Sequence, residues 1–152
     1  MSDTKTVSEV QLTYKNKLKI SERTTANSSQ ACYEIFMQIY DADTIDLYET
    51  SKILLLNHAN HILGFMEISK GGASGTAIDI RLILQSALLL NASKIVLCHN
   101  HPSGDTMPST EDIVVTNRIK KACDLMDIQL LDHIIISASA EDYFSFSKED
   151  LL

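Results

Sequence analysis

A chain of 152 residues, 45% hydrophobic and 22% charged, is long enough to bury one core, and this composition excludes disorder of the whole chain. A formal net charge of −7 disfavours tight nonspecific binding to a phosphate backbone, although Lys5, Lys15, Lys17, Lys19 and Arg23 leave the first 25 residues locally basic. Cys32, Cys98 and Cys123 are odd in number and form no CxxC, which argues against a disulfide framework or a cysteine zinc knuckle.

From the N-terminus, residues 1–27 read as a polar extension in which the alternation of Val10, Leu12 and Tyr14 suggests a short strand. No apolar stretch follows Met1, and runs such as Ala87–Leu90 are too short to span a bilayer, so a cytoplasmic protein with reduced thiols and no membrane association is expected. Ser28 or Ser29 can cap a helix over about residues 30–40, with Ala31, Ile35 and Ile39 on one stripe. Lys52–Asn57 and Ile62–Ile68 read as two strands of a hairpin around His58–His61, whose histidines suit a solvated turn. Gly71, Gly72 and Gly75 mark a loop; it lacks the Gly-Lys-Ser/Thr ending of a phosphate-binding Walker loop.

Asp79 can cap a helix running to about Leu90, where Asn91 ends it. Lys94–Cys98 is a short buried strand, His99–Pro108 a polar loop holding both prolines, and Ser109 the cap of a helix through about Met126. A strand over 128–137 and a last one near Tyr143–Phe146 complete the pattern. Strands alternating with helices predict an α/β fold, a single-domain sandwich around a mixed sheet.

The chemistry concentrates between His99 and Asp112. In extended chain, residues i and i+2 share a face, so His99 and His101 can present two imidazoles to one ion. Pro102, Gly104 and Pro108 bend the chain back, which lets Asp112, on the first turn of the next helix, close a His, His, Asp set. Three protein ligands leave a fourth tetrahedral position for water, as in catalytic rather than structural zinc sites. The bland alternative is a polar loop tied by hydrogen bonds with no metal. Ser109 also has two readings: helix cap in a Ser-x-x-Asp box, or donor to a developing oxyanion. Cys98 should face away from His99 into the core. His133 is either a half-buried structural histidine, the reading favoured here, or a group steadying a ligand through a hydrogen bond.

Glu49, then His99-x-His101-Pro, seven residues, Ser109, two residues and Asp112 resembles the JAMM (MPN, or JAB) metalloprotease motif. The fuller run His-Asn-His-Pro-Ser-Gly-Asp followed by Pro-Ser-x-x-Asp is similar to the RadC family, as are Leu54-Leu-Leu-Asn57, Gly71-Gly72 with Gly75-Thr76, and Leu131-Asp-His-Ile134. Asn100 stands where JAMM deubiquitinases have Ser or Thr, and matches RadC relatives. The resemblance covers residues 28–152 as a RadC-like JAB/MPN domain and implies a cytidine-deaminase-like α/β/α fold. It implies one zinc ion per chain on His99, His101 and Asp112, with Glu49 as acid/base and Ser109 assisting the oxyanion. The activity it implies is hydrolysis of a peptide or isopeptide amide by a zinc-activated water, with a peptide or protein as substrate. Longer RadC proteins carry an N-terminal helix-hairpin-helix module, which this chain is expected to lack. Two other classes stay open: a DNA-repair or DNA-transaction accessory or interaction module that retains the metal site, and a metal-dependent nuclease.

Overall fold

A computed structural model describes residues 7–11, 13, 14, 16–71, 77–139 and 141–152 of the chain. Its elements begin where short polar side chains precede apolar periodicity. Ser28 Oγ accepts the Ala31 amide at 3.1 Å and opens α1, Ser29–Ile39, which buries Cys32 and Phe36. The next two elements, β1 (Thr50–Leu56) and β2 (Ile62–Lys70), form an antiparallel hairpin. At its turn Asn57 Oδ1 accepts the Ala59 and His61 amides, each at 3.0 Å, and Asn60 takes a left-handed φ of 62°, which asparagine tolerates.

Asp79 caps α2, Ile80–Leu89, by accepting the Leu82 amide at 3.2 Å. Asn91, at φ 51°, ends it in a Schellman turn: Ala92 N–H donates to Ala87 O at 2.8 Å and Asn91 N–H to Leu88 O at 3.1 Å. The remaining elements are β3 (Lys94–Asn100), α3 (Thr110–Asp124), β4 (Gln129–Ile136) and β5 (Phe144–Ser145).

The five strands form one mixed sheet in the order β2-β1-β3-β4-β5, with β3 and β4 parallel and the other neighbours antiparallel. Every residue of β1 is buried, as expected of an apolar run with strands on both sides and helices over both faces. One face carries Leu54, Leu56, Val96, Cys98, Ile134 and Ile136 against α1. The other carries Ile53, Leu55, Ile95 and Leu97 against Ile83 and Ala87 of α2 and Ile119 and Cys123 of α3. The result is the α/β/α sandwich that the alternation of elements predicts, and Cys98 lies on the α1 side, away from His99.

Three expectations need correction. No strand forms around Val10 and Tyr14, and Leu12 lies outside the described residues. Val10 is 85% exposed and has no partner strand among the described residues, while the start of β2 is met instead by a single bridge between Thr25 and His61. His61 is thereby half-buried rather than solvated; His58 is exposed. The strand of residue 94 runs on through Asn100, because His99 and Asn100 keep their pairing with Ile135 and Ile136. Gly72 and Gly75 lie outside the described residues. Among the described residues, no helix is long and apolar enough to cross a membrane.

Candidate metal centre

The centre lies at the C-terminal ends of the parallel pair β3 and β4, where α/β sheets commonly bind ligands. His99 is fully buried on the α3 side of β3, opposite Ser51 of β1. His101 follows one residue past the strand, and its amide still donates to Ile136 O at 2.9 Å, which keeps it on the same face. The loop then turns through Gly104, at φ 91°, a backbone conformation that favours glycine, and a Cβ there would come within 2.6 Å of Ser139 Oγ and have to displace it. This turn brings Asp105 O to His101 Nδ1 at 2.6 Å.

Asp112 is the third residue of α3 and is held by a complete capping box. Ser109 N–H donates to Asp112 Oδ2 at 2.7 Å, and Asp112 N–H donates to Ser109 Oγ at 3.1 Å. The capping reading of Ser109 is thus realised, while its hydroxyl hydrogen is not consumed by the box.

One ligand atom from each of His99, His101 and Asp112 lies within 4.8 Å of the others. The two Nε2 atoms face each other at 2.8 Å, and the Asp112 carboxylate stands 3.3 Å from His99 Nε2 and 3.5 Å from His101 Nε2. A carbonyl cannot donate, so His101 Nδ1 carries the proton toward Asp105 O, and the Nε2 of the neutral ring is left as a bare electron pair. A bare His101 Nε2 and a carboxylate, both facing the Nε2 of a second imidazole, need a positive centre between them. A proton can serve, and so can a divalent cation, for which a mixed nitrogen and oxygen set of this kind is ordinary. The hydrogen bond to Asp112 raises the His101 pKa against the opposing effect of burial. Burial would raise the Asp112 pKa, but hydrogen bonds from His101 and His99 outweigh it and hold the carboxyl well below the usual range. The donor set therefore fits a metal ion; these residues alone do not fix which one.

Behind His99 lies a partner that the favoured sequence reading did not assign. His133, wholly buried on β4, places Nε2 2.7 Å from His99 Nδ1 and Nδ1 2.6 Å from Thr116 Oγ1 of α3. Thr116 Oγ1 in turn donates to Asp112 O at 2.5 Å. His133 thus touches a candidate ligand directly, and its ring stacks on Phe146 at 4.7 Å between centroids. The register explains the contact: His133 pairs with Leu97, one step along the same face from His99.

Glu49 lies just before β1, with its carbonyl accepting the Gly71 amide at 2.9 Å. Together with Asp112, Ile78, Thr110, Val115 and Arg118 it lines a cavity of about 400 Å³. Its negative charge also contributes to raising the His101 pKa. Asn100 fixes this segment from the far face of β3: its amide nitrogen donates to Ile45 O at 2.6 Å and Tyr48 O at 2.7 Å, and its oxygen accepts Thr50 N–H at 2.8 Å and the Thr50 hydroxyl at 3.0 Å. The sequence marks Asn100 as a departure from the JAMM pattern that matches RadC relatives; in the fold it latches the segment that carries Glu49.

A family model for the RadC-like JAB domain matches residues 26–151. Among similar proteins are a UPF0758 protein of Flavobacterium johnsoniae, 39% identical over 68% of this chain and 44% of its own length, and one of Porphyromonas gingivalis, 46% identical over 66% of this chain and 44% of its own. A third, from Clostridium tetani, is 42% identical over 68% of this chain and 45% of its own length. The chain thus spans less than half the length of these curated relatives. Fold, donor set and family model converge: the chain belongs to the RadC-like JAB domain family.

Proposed function

We propose that this domain is a metal-dependent hydrolase that cleaves a peptide or isopeptide amide bond. The observation that carries this reading is three convergent donor atoms beside a cavity whose wall includes a further carboxylate, Glu49. His99, His101 and Asp112 would hold the ion, and zinc suits two imidazoles with one carboxylate. A bound divalent ion would supply a Lewis acid that acidifies water and polarises a carbonyl. Glu49 takes the proton from the attacking water and delivers it to the departing nitrogen. Ser109, whose oxygen is engaged by the Asp112 amide, keeps its hydroxyl hydrogen for the oxygen of the scissile carbonyl. Ile78 and Val115 give the cavity an apolar wall suited to a side chain of a peptide or protein substrate. The net charge of −7 weighs against a phosphodiester substrate.

Two variants test the reading. Metal analysis of protein purified without added metal should find about one equivalent, and none in a His99→Ala, His101→Ala double variant. Glu49→Gln should keep the metal yet lose hydrolysis of a peptide-library substrate by at least about a hundredfold. Equal metal in wild type and the double variant ends the metal assignment. Undiminished cleavage by Glu49→Gln ends the role of Glu49.

A further inference from the structure

We propose that Thr116, acting through His133, is a positioning residue that fixes the tautomer of His99 so that its Nε2 electron pair is always presented to the metal position. The inference rests on the metal reading above but concerns residues that touch no ion.

One group in this chain of contacts has a role fixed by its chemistry. The carbonyl of Asp112 can only accept, so the Thr116 hydroxyl hydrogen points to it across 2.5 Å. The Thr116 oxygen is then left to accept, and its other neighbour is His133 Nδ1 at 2.6 Å, which must carry the ring proton. A neutral imidazole has one N–H, so His133 Nε2 is an acceptor and takes the proton of His99 Nδ1 at 2.7 Å. Neutral His99 is thereby bare at Nε2, the atom that faces Asp112 and His101. Every member of this relay is buried except the half-buried Asp112, so water cannot supply a competing donor at its inner links.

The relay closes on itself. Asp112 contributes its carboxylate to the donor set and its main-chain carbonyl to the far end of the relay, so one residue fixes both the position of a ligand and the direction of the protons behind another. Without the hydroxyl, His133 could present either nitrogen as donor. His99 would then share its population with the Nε2–H form, which hydrogen-bonds Asp112 and must be displaced before an ion can bind.

The test compares Thr116→Val, which keeps the shape of a buried side chain, with Thr116→Ser, which keeps the hydroxyl. Zinc affinity is read by competition with a chromophoric chelator, geometry by the visible spectrum of the cobalt(II) form, and the His99 tautomer by long-range proton–nitrogen correlation in metal-free protein. We expect Thr116→Val to fold, to bind zinc about tenfold or more weakly, and to show His99 protonated partly at Nε2. Thr116→Ser should stay near wild type in all three. Thr116→Val with wild-type zinc affinity and an unchanged His99 tautomer overturns the proposal. Wild-type protein that binds neither zinc nor cobalt would instead remove the metal reading itself, and this inference with it.

Discussion

Asn100 fills the hydrogen-bonding capacity of its side chain with groups from the segment between Ile45 and Thr50. Replacing it with alanine strands the buried Thr50 amide and Ile45 carbonyl and frees the less buried Tyr48 carbonyl, at a cost on the order of 3 kcal/mol. Asn100→Ala should therefore lower the urea midpoint and slow hydrolysis by releasing Glu49, while zinc stoichiometry stays at the wild-type level. Normal hydrolysis in a clearly destabilised variant would separate the latch from the chemistry. At this scale the sequence was partly legible. His99 and His101 could be paired because strand geometry fixes the relation of i and i+2. Nothing in the local sequence singles out Thr116, and His133 reads as a structural histidine. Their roles depend on β4 lying beside β3 in one particular register, which no local pattern encodes. Glu49 was singled out by resemblance, since spacing could not choose it among the other acids.

The elements were more legible than the contacts between them. Ser28, Asp79 and Ser109 cap the three helices, and each announces itself by lying just before an apolar stripe. The extension before residue 20 misled, because alternation over Val10, Leu12 and Tyr14 needs a partner strand to become a strand itself. The loop between β3 and α3 depends on Gly104, where any side chain is strained. Gly104→Ala meets both the left-handed backbone and the Ser139 hydroxyl, so it should destabilise the fold by about 1–3 kcal/mol. Because this loop also aims His101, zinc affinity should fall with it. A Gly104→Ala, Ser139→Gly double variant removes the clash but not the backbone strain, and should recover only part of the loss. Full recovery would mean that the positive φ costs nothing.

Across the whole molecule, all three thiols are buried and free. Burial pushes the Cys32 and Cys123 thiols up to about 11 and the Cys98 thiol well above its ordinary value. An unfolded thiol ionises near pH 8.5. Above that pH the unfolded chain binds fewer protons than the folded one, so stability falls as pH rises toward 11, by at most about 1.4 kcal/mol per pH unit for each thiol. Thermal midpoints measured from pH 8 to 11 should drop, and a Cys32→Ala, Cys123→Ala variant should drop less steeply, though from a lower start. A parallel fall in both would assign the effect to other groups. The candidate ligands come from one stretch of fourteen residues, from His99 to Asp112, whereas Glu49 enters from the turn that precedes β1. Holding an ion and using it would thus fall to separate segments of the chain. On the proposed reading, a single change at residue 49 would end the chemistry, while an ion held by His99, His101 and Asp112 would still tie the end of β3 to the start of α3. The presence of a bound metal in a relative is evidence of that brace and leaves catalysis to be established on its own.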